Sequence, residues 1–416
     1  MKKFIYITIL LLAASTNAQS RFEEKIYNPL IKSVKMEVEG TDFSFPVIDI
    51  EDSKRLVLKF DELSNEPHRY EFKIIHCNAD WTQSDLQPME YIEGFETGML
   101  ESYAQSFNTL QRYVHYELVI PYNIKFIRSG NYLLKVFNEY EEDKVILTRY
   151  FYVCDNSAFV QASVFQARNP ATQRYNQEID VSLTPTDGFS FYNPNTNIKV
   201  LVMQNGRRDN KALLQMRQTK GQSLDYSFFP CNEFEGGNEF RNFDITSLRS
   251  RSSRVRKIDY INDENQAFLV NEPDRSHSPY ISAGDLDGAF YIRNDYMDNF
   301  DITSDYCWVH FTFPTQISLE GSYYIVGELT DWHLTEQNKM SYDKDLKAYR
   351  LSLFLKQGFY DYAILFYPSN SRSATFLKAE GSHSETNNTY RILAYYRKPG
   401  DTHDSLAGYT SVVTKF

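Results

Sequence analysis

Residues that do covalent chemistry are sparse in this chain. Its 416 residues hold four cysteines and eight histidines. The cysteines, Cys77, Cys154, Cys231 and Cys307, lie roughly 77 residues apart and never as a close pair, which excludes a four-cysteine zinc site and a thioredoxin-like Cys-x-x-Cys. Free buried thiols and a disulfide both stay open, because Cys77 and Cys154 sit in strand-like runs while an exported chain permits bridges. No Gly-x-Ser-x-Gly elbow, His-Glu-x-x-His helix or glycine-rich phosphate loop occurs, so the common nucleophile, zinc and nucleotide signatures are missing. The histidines are dispersed, with His76 and His310 inside strand-like runs, where a satisfied structural histidine is the expectation. We therefore expect a binding protein and not an enzyme, with no catalytic residue, metal, cofactor or small-molecule substrate.

A cationic surplus is lacking too. The net charge is -11 and the pI about 5.3, which argues against nucleic acid, since neutralising phosphates needs excess lysine and arginine. Past the N-terminus no apolar run approaches the roughly 20 residues of a membrane helix. Met1 to Ser20 carries two lysines, an apolar stretch and small residues at Thr16 and Ala18, the pattern of a signal peptide over 1–18. Gln19 follows the expected cut and no cysteine is near to carry lipid, so the expectation is a soluble periplasmic chain without a transmembrane segment of its own.

Aromatics are what the chain has in abundance, 31 tyrosines and 30 phenylalanines against 17 glycines. They favour half-buried pleated surfaces, and short alternating runs recur throughout: Arg55–Phe60, Tyr70–Ile75, His115–Ile120, Tyr132–Phe137, Val145–Val153. No helical period is sustained. The fold class expected is all-β, tandem immunoglobulin-like β-sandwich domains, with boundaries at 25–155, 156–300 and 301–416. Gly236-Gly237 reads as a turn of the second domain. Strands this short and irregular do not suit an outer-membrane barrel.

Three features stand out as binding candidates. Asp80 and Trp81 lie in a polar loop beside the acidic stretch Glu90 to Glu93, an aromatic among polar groups as interface anchors often are, or else a ring that packs its long loop onto its own sandwich. The basic run Arg249-Ser-Arg-Ser-Ser-Arg-Val-Arg-Lys257, with Arg249, Arg251 and Arg254, reads as a charged edge strand or as a patch for an acidic partner. Glu139 to Asp143 lacks calcium-loop spacing and reads as a hairpin tip. Finally Tyr323 to Trp332, with Gly358 to Tyr362, is similar to the early-set immunoglobulin-like modules that bind glycogen, in which the tryptophan at the position of Trp332 stacks on sugar. The second platform tryptophan of that family has no counterpart between Ala363 and Glu380, so a core or hinge role is the expectation for Trp332. A glycan-binding accessory protein is the alternative function.

Taken together, His76 to Phe95, Ser129 to Val136, Leu147-Thr-Arg149, Val202 to Arg207, Gly237 to Asp244 and Glu380 to Asn388 resemble the plug proteins of Bacteroidetes type IX secretion. That resemblance implies a periplasmic subunit on the inner side of the outer membrane that closes the periplasmic mouth of the translocon β-barrel. It implies no catalytic residue.

Overall fold

A computed structural model describes residues 20–121 and 123–414, so the expected leader at 1–18 lies outside the described residues. Strands dominate, and the described α-helices are single turns such as Pro88–Tyr91. Alternation in the sequence becomes alternation in burial. In Tyr306–Pro314 the residues Cys307, Val309, Phe311 and Phe313 point into a core while Trp308, His310 and Thr312 do not, as a strand half-covered on one face requires.

The first module is a sandwich of two sheets, antiparallel except where Val47–Asp49 runs parallel to Glu141–Cys154. One orders Lys25–Ile26, Glu141–Cys154, Gly130–Asn138, Tyr70–Cys77 and Thr97–Met99. Its partner orders Ile31–Val38, Leu56–Glu62, Val114–Ile120 and Ser102–Gln105. Between them lies a core of Leu58, Phe60, Ile74, Tyr116, Tyr132, Leu134 and Phe151, among others. Glu139 and Tyr140 form the turn between Gly130–Asn138 and Glu141–Cys154, with Tyr140 exposed at its tip, and Glu141 to Asp143 begin the return strand.

Beyond residue 155 the strand pairing departs from the expected division at 300–301. Strand Ile198–Gln204 pairs with Thr389–Tyr396 in full antiparallel register, and Ser405–Val413 extends the same sheet. The facing sheet comes from Ala158–Gln166, Asn176–Pro185 and Ser223–Tyr226. The middle module is therefore built from two separated pieces of chain, and the third is inserted between them. Within the insert, Arg241–Asp244 and Phe290–Ile292 pair with Gly358–Pro368, while Glu264–Leu269 runs parallel to Tyr306–Pro314. Strands on both sides of 300–301 thus share one core.

Gly236-Gly237 is correspondingly not a hairpin turn. It belongs to the outgoing crossing between modules, which lies against the returning segment at 382–388. The Gly237 amide donates to the Ser382 hydroxyl at 3.1 Å, and the Thr386 hydroxyl donates to the Gly237 carbonyl at 2.9 Å. A Cβ on Gly236 would stand 2.0 Å from the His383 carbonyl oxygen, so the two crossings pack backbone to backbone.

All four cysteines are free, with Cys77, Cys154 and Cys307 buried. His76 is a satisfied structural histidine: its Nε2 donates to the Ser129 carbonyl at 3.1 Å, the Ser84 hydroxyl lies 2.9 Å from Nδ1, and burial pulls its pKa down to about 4.

Candidate partner-binding surface

Two kinds of place could carry a binding function in such a molecule: the seams between modules and the surfaces they leave open. The seam between the first module and the insert is polar and deeply buried. Asp61 accepts from Lys356 Nζ at 2.6 Å and from the Tyr306 hydroxyl at 2.7 Å, with both charged side chains at most 1% exposed. His115 Nδ1 lies 2.7 Å from the other Asp61 oxygen, and Lys356 also donates to the Asp301 carbonyl at 2.6 Å. Burial lowers the Lys356 ammonium below its usual range, against the pull of Asp61. Around this pair, the Leu110 and Gln111 amides donate to Asp305, and Tyr113 donates to the Ser304 carbonyl. A charge pair this dry holds only with its partners in place, so the modules are fixed relative to one another.

Trp81 lies in the seam between the first and middle modules. Its ring stacks on Tyr150 at 3.4 Å and 8°, and it shares a cluster with Met203, Leu393, Tyr395 and Leu406 of the middle module. At 7% exposure it is no surface anchor, which corrects the reading from its polar neighbours. A positive φ of 68° at Trp81 turns the side chain inward from a polar loop. Asp80 braces that loop: one carboxylate oxygen accepts from the Thr82 amide and hydroxyl, and the other faces Arg21 at 3.6 Å.

Trp332 sits where the middle module and the insert meet. A Cβ on Gly206 would fall 2.0 Å from its Nε1 and one on Gly288 2.4 Å from its Cη2, while Phe240 packs edge-on at 5.8 Å. An indole packed on two glycine backbones does not offer the free face on which a sugar would stack. Beside it, Arg149 of the first module donates to Asp331 of the insert at 3.1 Å, and Arg208 of the middle module pairs with Glu24 of the first. All three modules meet at this junction.

The basic run is also largely engaged. Only the end of the run is strand: Val255–Ile261, which carries Arg256 and Lys257, lies at the edge of its sheet, and Arg249, Arg251 and Arg254 precede it. Arg254 donates to Glu272 at 2.6 Å, next to the buried pairs of Arg241 with Glu272 and Glu380. Arg249 covers the Tyr296 ring at 4.4 Å, and Arg251 stands exposed.

Residues 85–111 of the first module expose several large apolar groups. Met89 and Phe95 are 81% and 83% exposed, and Tyr103, Phe107 and Leu110 are exposed as well. Met89 belongs to the helical turn Pro88–Tyr91, anchored by buried Tyr91, whose neighbour strand Ile92–Glu93 pairs with Lys125–Phe126. Sequence reasoning singled out the acidic Glu90 to Glu93 and missed these apolar groups. Their signal was there, in large side chains breaking the strand alternation inside an acidic run. On the neighbouring sheet face a groove of about 840 Å³ has Ile75 and Leu133 among its apolar lining and Lys73, Lys135 and Glu142 among its charged lining, and Tyr91 borders it. Its charges pair internally, Glu142 accepting from Lys73 at 3.1 Å and from Lys135 at 3.2 Å.

Residues 31–155, which are this first module, match the type 9 secretion system plug protein first domain. Across nearly the whole chain the fold is that of a crystal structure of a hypothetical protein from Parabacteroides merdae, at 33% identity and a TM-score of 0.93, covering 95% of this chain and 100% of that one. The first module thus belongs to the type 9 secretion system plug protein first-domain family. A putative membrane anchored protein from Corynebacterium diphtheriae aligns over 91% of each chain at 7% identity and a TM-score of 0.14, too low to carry an argument. No curated protein matches. Among the described residues no helix is long and apolar enough to cross a membrane, and no group of three or more histidine, cysteine or carboxylate side chains is arranged to hold a metal ion.

Proposed function

We propose that this chain is a periplasmic subunit that occludes the periplasmic end of the outer-membrane type IX translocon barrel, and that it acts by binding and not by catalysis. The observation that carries the reading is the match of the first module to the plug first domain. The expected leader at 1–18 supports the periplasm, and the packing supports the mechanics. A stopper must keep its shape while leaving the pore on demand, and buried ion pairs such as Asp61 with Lys356 brace one module against another. A moderate, polar-rimmed contact suits a partner that must release.

Affinity purification of the tagged mature chain from its native outer-membrane fraction tests this. One very large β-barrel co-purifying with the chain is the expected result; recovery of the bait alone overturns the reading.

A further inference from the structure

We propose that strand Ser102–Gln105 is a docking edge that takes up an extended, lysine- or arginine-bearing segment of the partner as an added β-strand. The proposal rests on the plug reading for the identity of that partner, and on the geometry for the site.

Strand Ser102–Gln105 is the last in its sheet, paired on one side with Val114–Ile120 and, among the described residues, with no strand on the other. All four of its residues are exposed. Which backbone groups face outward follows from the register. The Ser106 amide donates to the Tyr113 carbonyl at 2.8 Å, and Ser102 lies opposite Glu117, Tyr103 opposite Tyr116. Hydrogen-bonded and non-bonded pairs alternate in an antiparallel ladder. Ser102, Ala104 and Ser106 therefore bond inward, leaving the amides and carbonyls of Tyr103 and Gln105 aimed outward.

Soluble proteins usually guard such an edge with lysine, proline, a bulge or a covering loop. Ser-Tyr-Ala-Gln has none of these residues, and its register runs without a shift. The opposite edge of the same sheet, Ile31–Val38, is covered by the insert, with Lys35 Nζ donating to the Phe290 carbonyl at 2.9 Å. Added strands gain affinity from main-chain bonds and specificity from side chains around the edge, and here the segment that leads into and out of the strand is distinctive. From Asp85 to Gln111 the chain carries five carboxylates, Asp85, Glu90, Glu93, Glu96 and Glu101, and no lysine, arginine or histidine. Cationic side chains complement that field. A second copy of this chain does not, because edge-to-edge pairing would oppose the same carboxylates.

Gln105→Pro tests the edge without disturbing the native ladder, since it removes an amide that faces solvent. Gln105→Ala controls for the lost side chain, which donates to the Asn65 carbonyl. The probe is a ten-residue peptide of alternating lysine and valine, with a glutamate and valine peptide as its counterpart. Expected is slowed hydrogen exchange at the Tyr103 and Gln105 amides with the lysine peptide only, weakened by salt, with affinity falling about tenfold or more in Gln105→Pro for the loss of a ladder bond and unchanged in Gln105→Ala. No slowing at those amides, equal binding by Gln105→Pro, or self-association through the edge in sedimentation each overturns the proposal. Retrieval of the barrel separates the two readings. If Gln105→Pro retrieves it as well as the native chain does, the edge proposal falls and the plug reading stands. If the native chain retrieves none while the lysine peptide still protects the edge, the plug reading falls alone.

Discussion

Single residues set how tightly the modules meet. Trp332 packs onto Gly206 and Gly288, so a methyl at Gly206 has no room. We expect Gly206→Ala to cost about 1–3 kcal/mol by overpacking and Trp332→Ala about 3 kcal/mol by leaving a void, both read as losses in thermal unfolding, with retention on insoluble polysaccharide unchanged. A second residue-scale expectation concerns acid. Burial pushes the Asp361 carboxyl up to about 7 and that of its neighbour Asp285 up to about 6, and Asp361 Oδ1 has no hydrogen-bond partner among the described residues. The folded state thus holds protons that the unfolded chain releases near pH 4. Stability from this site is fully present below pH 4, is lost as pH rises through about 7, and stays lost above. Asp361→Asn should remove that slope and raise stability at pH 8 by about 2–4 kcal/mol, with little gain at pH 4. Glu380 works in the opposite sense. Burial would raise its carboxyl, but Arg241 and Arg275 hold it at about 2, so its contribution is present above the ordinary carboxylate range and is lost as pH falls toward 2.

At the level of elements, the alternation of polar and apolar side chains made the strands legible, and with them the all-β class and the extent of the first module. Alternation says nothing about partners. Strand Ile198–Gln204 finds its mate near residue 390, and no local pattern records a pairing across that distance. The run after Tyr306 also looked like the start of a new domain because it is a strong strand, although it joins a sheet begun by earlier residues. Polar neighbours around Trp81 suggested an exposed anchor, where the seam supplies Tyr150 from 69 positions further along. A chain ended at residue 300 follows from the sequence boundary and fails by the structure. Val200 and Val202, fully buried beside Thr389–Tyr396, would lie on an open apolar edge. We expect that truncation to be aggregated, judged by size-exclusion chromatography, while replacement of 238–386 by a short linker keeps the middle sheet paired.

Over the whole molecule, the buried seams couple modules that could otherwise melt separately. Lys356→Met leaves Asp61 charged without its ammonium partner and should cost about 3–5 kcal/mol, whereas the double change Asp61→Leu with Lys356→Met should recover most of it. Scanning calorimetry of the native chain should give one transition, and Lys356→Met should split the first module from the rest. A chain that divides into two transitions already in its native form would mean that the seams are weaker than their burial implies.

Insertion of the third module also dictates an order of events in time. A ribosome or an export channel delivers the chain from its first residue onward, and the first module is complete once residue 154 is out. The middle module is not: its sheet waits for the strands at 389–396 and 405–413, which arrive only after the whole insert. Throughout that interval the strand at 198–204 is a half-built edge, so a newly made chain must be sheltered until the strands beyond the insert are delivered, and closure of the middle sheet doubles as a check that the insert has been made in full.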